Sequence, residues 1–237
     1  MDSVKMIWPD QLILDSFCKL ENLTVSNFTN LTNILPPNML RTLHNLKRLN
    51  IDGCGSIEEV FEIQQTNNVE ETHNIVATEL RSLKLVNLGK LKHVWSIDPQ
   101  GIITFGKLNA VNIHRCSSLK SIFPTSVAKA LIQLEQLQIS DCAMVEEIIA
   151  KEEGIETTNL FVFRNLKELN IYDCNSLEEV FEIQGTNNVE ESRDVAAAEL
   201  ISLKLGNLEK VKHVWSMDPQ GIITFGKIGR ASCRERV

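Results

Sequence analysis

Cysteines, paired glutamates and two copies of a GxxxxGK string are the residues of this 237-residue chain whose types and spacing could carry chemistry. The string is GIITFGK, at Gly101–Lys107 and again at Gly221–Lys227. A phosphate loop uses that spacing to wrap backbone amides around an anion. It then requires Ser or Thr for magnesium, between a strand and a helix. Here Leu108 and Ile228 follow. Leu108 falls on an apolar repeat position and Phe105 reads as core, so no nucleotide site is expected. The pairs Glu58–Glu59, Glu146–Glu147 and Glu178–Glu179 could suggest acid–base catalysis. Adjacent side chains seldom converge on one substrate, however, and no nucleophile or base accompanies them. Lys92–His93 and Lys212–His213 follow one turn after two of the pairs, which reads as a solvated face with weak ion pairs. His44, His73, His93, His114 and His213 lack metal-ligand spacing. Catalytic residues, metal and cofactors are therefore all expected to be none, and the chain is read as not an enzyme.

The six cysteines, Cys18, Cys54, Cys116, Cys142, Cys174 and Cys233, contain no CxxC, which removes the zinc-knuckle and thioredoxin-like readings. Four of them share one position in a repeating pattern. Each reads as a small buried thiol at a strand-to-loop bend, its S–H a weak donor to backbone, rather than half of a disulfide such as Cys116–Cys142.

That pattern is what must position everything else. Residues 46–107 recur as 166–227 with roughly three quarters of positions identical. LKRLNIDGCGSIEEVFEIQ returns as LKELNIYDCNSLEEVFEIQ, and LKHVWSIDPQGIITFGK as VKHVWSMDPQGIITFGK. Within each long unit lies a shorter one, as in Leu46/Leu49/Ile51/Cys54/Ile57/Val60. Counterparts begin at Leu80, Leu108, Leu134, Leu166 and Leu200, with a looser first copy at Leu20. The LxL core alternates with period two, so it is a short strand with one face inward. One turn cannot bury that face alone, and stacking turns into a parallel ladder gives a continuous core.

The expected fold is thus an α/β leucine-rich repeat solenoid of about seven repeats. Short parallel strands form the concave face of a curved arc, with irregular loops and short helices on the convex face. LRTLHNL and SVAKALIQL are the best helical stretches, and most other connections read as loops. Trp95 and Trp215 read as packed linker residues rather than ligand platforms.

The residues between the strand leucines point outward and tile the concave sheet, the candidate protein-binding face. From the clear turns these are Arg48, Asn50, Asp52; Ser82, Lys84, Val86; Ala110, Asn112, His114. Gln136, Gln138, Ser140; Glu168, Asn170, Tyr172; and Ser202, Lys204, Gly206 continue the series. Tyr172 is the one aromatic among them. Between the two copies about half of the outward strand positions differ, against about a quarter elsewhere. Arg48 stands against Glu168, Asp52 against Tyr172, Arg81 against Ile201 and Val86 against Gly206. Ordinary surface tolerance and retuning for partners both account for this.

A net charge of −7 disfavours nucleic acid and anionic membrane as partners, and the basic residues are scattered along the sequence. The N-terminus lacks the apolar run and cleavage site of a signal peptide, and no apolar run approaches a membrane helix. The expected compartment is cytoplasmic, although the sequons at Asn22, Asn27 and Asn30 would suit a secreted protein.

The combination of CNSLEEVFE, LKHVWSIDPQGIITF and CSSLKSIFPTSVAKAL resembles the leucine-rich repeat region of plant coiled-coil-class nucleotide-binding disease-resistance receptors. The resemblance covers about residues 8–227. It implies a protein-binding module of an intracellular immune receptor that recognises pathogen effectors and restrains the nucleotide switch. Its implied partner is a protein: an effector, a guarded host protein, or the receptor's own nucleotide-binding domain. No complete Walker motif or coiled coil is found, so the chain reads as a fragment of such a receptor. A substrate-recruiting arc of a ubiquitin ligase and a truncated product without independent function are the alternatives. The first uses a similar Cys-ended turn but continues with an ITD-like step where this chain has SIEEV and SLEEV.

The repeat domain is read as 1–227. The last ten residues, IGRASCRERV (228–237), interrupt the second copy. They resemble a translated sequencing adapter, and are read as a non-native tail outside the fold.

Overall fold

The computed structural model describes residues 4–8, 17–63, 76–100, 103–150, 163–181, 198–215 and 223–225. Its spine is a seven-stranded parallel sheet in simple sequential order. In chain order the elements begin with β1 (Asn22–Ser26), α1 (Pro37–Thr42), β2 (Arg48–Asp52), β3 (Glu59–Phe61) and β4 (Val76–Ala77). β5 (Ser82–Val86), β6 (His93–Trp95), β7 (Ile103–Thr104), β8 (Ala110–His114) and β9 (Ser121–Phe123) follow. Next come α2 (Thr125–Ala130), β10 (Gln136–Ser140), β11 (Glu147–Ile149), β12 (Glu168–Tyr172) and β13 (Glu179–Phe181). β14 (Ala198–Leu200), β15 (Ser202–Gly206), β16 (His213–Trp215) and β17 (Ile223–Phe225) complete the series.

The spine runs β1-β2-β5-β8-β10-β12-β15, one strand from each turn. Its register is set by the leucines. Leu23 faces Leu49, then Leu83, Val111, Leu137, Leu169 and Leu203 in unbroken sequence. A slip of one residue would turn every one of these side chains to the opposite face. The period-two pattern therefore fixes the pairing, and seven turns answer the seven read from the sequence.

The connections differ from the loops expected of them. The EVF, HVW, SIF and EII segments form short parallel pairs, β3 with β6 and β9 with β11. In the second copy β13 pairs with β16. The strands preceding the main ones also pair, β4 with β7 and β14 with β17. An apolar step such as Val60–Phe61 offers two adjacent buried side chains beside a backbone that needs partners. The equivalent segment one turn on supplies them.

α2 falls on the SVAKALIQL stretch, whereas α1 begins ahead of LRTLHNL and shares only residues 40–42 with it; both are short, as expected. α1 starts at Pro37, which fits the first helical turn because proline lacks the amide that would go unpaired there. It ends at Thr42, since Leu43 and Leu46 turn back into the core. α2 likewise stops at Ala130, ahead of buried Leu131 and Leu134.

Between ladder and connections lies one continuous core containing the repeat leucines, isoleucines and four cysteines. An aromatic chain threads it. Phe61 stacks on Trp95 with ring centroids 5.5 Å apart, and Phe105 meets both edge-on at 5.1 and 5.5 Å. Trp95 then contacts Phe123 at 5.8 Å, and Phe123 contacts Phe163 at 5.6 Å. Each such pair contributes ~0.5–1.5 kcal/mol beyond burial. Trp95 is thus the packed linker residue expected, while the Trp215 side chain lies outside the described residues.

Candidate protein-binding face

Alternation along each main strand turns three residues per turn away from the core, and the register aligns them in columns. The first column runs Arg48, Ser82, Ala110, Gln136, Glu168, Ser202. The middle column runs Asn50, Lys84, Asn112, Gln138, Asn170, Lys204. The third runs Asp52, Val86, His114, Ser140, Tyr172, Gly206. All the outward residues read from the sequence are exposed or half-buried, whereas the strand leucines, isoleucines and valines between them are buried from β2 through β12. They share one sheet face, with side chains about 4.8 Å apart between neighbouring strands.

Several of these side chains brace one another. Asn112 Nδ2 donates to Gln138 Oε1 at 2.7 Å. His114 Nδ1 lies 2.9 Å from Ser140 Oγ and 3.2 Å from Asp141 Oδ2. Asn87 Nδ2 donates to Asp52 Oδ1 at 2.9 Å, and the equivalent Asn207 to Asp173 Oδ1 at 2.7 Å. Tyr172 is one of the large hydrophobic residues that stay exposed, at 37%.

A further column went unread in the sequence. The residue directly after each main strand adopts the left-handed region: Asn27, Gly53, Asn87, Arg115, Asp141, Asp173 and Asn207, with φ between 53° and 65°. Glycine, asparagine and aspartate tolerate this conformation best, and their recurrence before the Cys or Leu position was the available signal. The turn it makes lets the amide of Asn87 donate to the His114 carbonyl at 2.9 Å. The same step recurs from Asn27 to Asp173, extending the ladder past the strand ends.

The cysteine column performs the role read for it. Cys54, Cys116, Cys142 and Cys174 are fully buried thiols, and Cys18 is half-buried. Cys142 and Cys174 donate to the carbonyls of Ser140 and Tyr172, each at 3.3 Å. Cys54 reaches the Asp52 carbonyl at 3.5 Å and Cys116 that of His114 at 3.7 Å. Burial pushes the Cys174 thiol up to about 12. The adjacent Cys116 sulfur, and burial after it, push Cys142 far up as well. Cys142 and Cys174 are thus protonated and unsuited to nucleophilic or metal chemistry at neutral pH, while the hydrogen bond with Cys142 lowers the Cys116 thiol.

Glu58 and Lys107 of the first GIITFGK string are held in ion pairs between turns. Lys92 Nζ pairs with Glu58 at 2.7 Å, and this contact holds the Glu58 carboxyl below the usual carboxylate range. Ile103–Thr104 of GIITFGK is strand β7, Phe105 and Leu108 are buried, and Lys107 is paired with Glu79. That lysine is held by a carboxylate one turn back, and a leucine occupies the magnesium-ligand position. Among the described residues no group of three His, Cys, Asp or Glu could hold a metal ion, and no helix is long and apolar enough to cross a membrane.

Against known families, the sequence matches the leucine-rich repeats described as plant disease resistance protein RPS2-like, over residues 1–143 and 145–235. The chain belongs to that family. No curated protein and no solved structure matches it. The repeats of this RPS2-like region are a protein-interaction module of plant disease resistance. The residues from 226 onward, including those read as a tail, lie outside the described residues.

Proposed function

We propose that the chain is the recognition segment of a cytoplasmic plant immune receptor, with the three outward columns as the surface that holds its protein partner. The partner is a pathogen effector, a guarded host protein, or the receptor's own nucleotide-binding domain. The observation that carries this is the contrast between the two copies on one ladder. Their strand leucines keep one register, while Arg48 against Glu168 and the pair Asp52/Val86 against Tyr172/Gly206 fall on the outward face. A sheet held rigid by its core can change partners through such positions without refolding. We further propose that residues 1–227 form one repeat domain and that 228–237 take no part in it.

Photo-crosslinkers at Gln138 and Tyr172, on the outward face, and at Lys92, on the opposite side of the core, test this in plant cells. Adducts confined to the outward positions, and altered by Glu168→Arg, are expected. Equal capture at all three positions would overturn the reading.

A further inference from the structure

The basic residues that lie scattered along the sequence meet on one end of the outward face. Arg48 opens β2, Lys84 is central in β5, and Arg115 follows β8. Arg81 directly precedes β5, and its amide donates to the carbonyl of Lys47 at 2.8 Å. Arg48, Arg81, Lys84 and Arg115 are all exposed, and none has an ion-pair partner among the described residues. Lys47 is neutralised by Glu21 at 2.6 Å. The field of this cluster is felt nearby. Lys47 holds the Glu21 carboxyl below the usual range, with Arg48 and Arg81 adding to it. The acids beside the cluster are already engaged, Asp52 accepting from Asn87 and Asp141 lying 3.2 Å from His114 Nδ1.

Register sets the spacing. Arg48 pairs with Ser82 and Lys84 pairs with Asn50, so Arg48 and Lys84 are diagonal neighbours about 7–8 Å apart at their origins. The same diagonal continues to His114 at the end of β8, and Arg115 follows it directly. An extended chain presents every second side chain on one side at about 6.6–6.8 Å intervals, short of that step by an amount the long Arg and Lys side chains can span.

The second copy serves as an internal control. Lys204 keeps the place of Lys84 but Glu168 takes that of Arg48, Ile201 that of Arg81 and Asp173 that of Gly53. The same columns there carry Glu168 and Asp173 in place of the cluster's positive charge. Within a chain of net charge −7, the described residues thus display a basic stripe from β2 across β5 to the end of β8.

We propose that this Arg48–Lys84–Arg115 stripe, with Arg81 beside it, docks an extended acidic segment of a partner protein, its Asp or Glu side chains spaced two residues apart. The inference rests on the outward face being the partner surface, and it adds the chemistry of the partner and the end of the arc that holds it.

The test uses the full chain and a fluorescein-labelled twelve-residue peptide in which Glu alternates with Ser, read by anisotropy at low and physiological salt. One site is expected, weakened by added salt because the contacts are exposed charges. Arg48→Glu with Lys84→Glu should lower affinity by about tenfold or more, as reversal of docking charges does. Glu168→Arg should tighten overall binding or raise the stoichiometry toward two, because it restores the Arg48–Lys84 step next to Lys204. Circular dichroism confirms that each variant stays folded. Peptide binding unaffected by the Arg48/Lys84 reversal, or no binding at all, overturns the proposal. So does equal competition by inorganic phosphate or a short oligonucleotide, which would make the stripe a general anion surface. If the peptide fails while outward-face crosslinks to a native partner persist, only the acidic-segment assignment falls.

Discussion

The Tyr172 ring covers Gly206 on the neighbouring strand, so that a Cβ built on Gly206 would sit 2.8 Å from Tyr172 Cδ1 and 3.1 Å from Cε1. No real side chain fits there without moving the ring. In the first copy the same two register partners are Asp52 and Val86. The two differences between the copies are therefore one coupled change, with a ring on one strand and the loss of a side chain beside it.

Coupling of this kind is measurable. Gly206→Val should cost stability in the Tyr172 background and much less in Tyr172→Asp, giving an interaction energy of about 0.5–3 kcal/mol in a double-mutant cycle. Thermal unfolding of the four variants provides it. Strictly additive effects would show that the ring swings clear at no cost.

Arg115 is the ill-suited member of the left-handed column, at φ 53°, where the other turns place Asn, Asp or Gly. The left-handed backbone costs roughly 1–2 kcal/mol for an ordinary side chain. Arg115→Asn should raise stability by about 0.5–1 kcal/mol. The reverse exchange at the adjacent turn, Asn87→Arg, should lower it, and would also break the Asn87–Asp52 hydrogen bond. Denaturant midpoints for both variants decide the matter, and a loss of stability in Arg115→Asn would contradict it.

Asp98, from the SxDPQG linker, caps α2 across the turn. Its Oδ2 accepts from the Ser126 amide at 3.0 Å, its Oδ1 accepts from the Gln100 amide at 2.8 Å, and the Ser126 hydroxyl also bonds it. The helix has no cap from its own Pro124. Asp98→Ala should cost about 1–2 kcal/mol, with faster hydrogen exchange confined to α2 and the linker. Exchange unchanged in α2 would mean the helix is held by packing alone.

The cysteine column makes two expectations. In a Cys233→Ser background, a thiol reagent should label Cys18 promptly and the four buried thiols only on unfolding. The second concerns pH. The Cys174 thiol is raised from 9.0 to about 12 by burial, so the fold favours its neutral form. That contribution is complete below pH 9 and is lost as pH rises from about 9 toward 12. Cys174→Ala should lower stability at pH 7 through the cavity it leaves, yet show a shallower alkaline decline. Parallel declines in the two proteins would exclude Cys174 as a source of the alkaline loss.

Much of this was legible without coordinates, because solenoids spell themselves out. The LxL spacing fixes which side chains face inward, and a shared register follows once stacking is the only way to bury them. The Leu49 column, the outward residues from Arg48 to Lys204 and the buried thiols were all readable for that reason. The short pairs such as β3 with β6 were not, because EVF and HVW carry no period of their own. Their strand conformation comes from a neighbour in the next turn.

What the sequence alone determined is therefore the repeat, its register and the direction each strand residue faces, since those depend on periodicity within a single turn. What the tertiary structure decided is everything that depends on which turn lies beside which. Residues 34 to 67 positions apart, such as Tyr172 and Gly206 or Arg48 and Arg115, become neighbours or members of one stripe only when the stacking distance of about 4.8 Å replaces their separation along the chain.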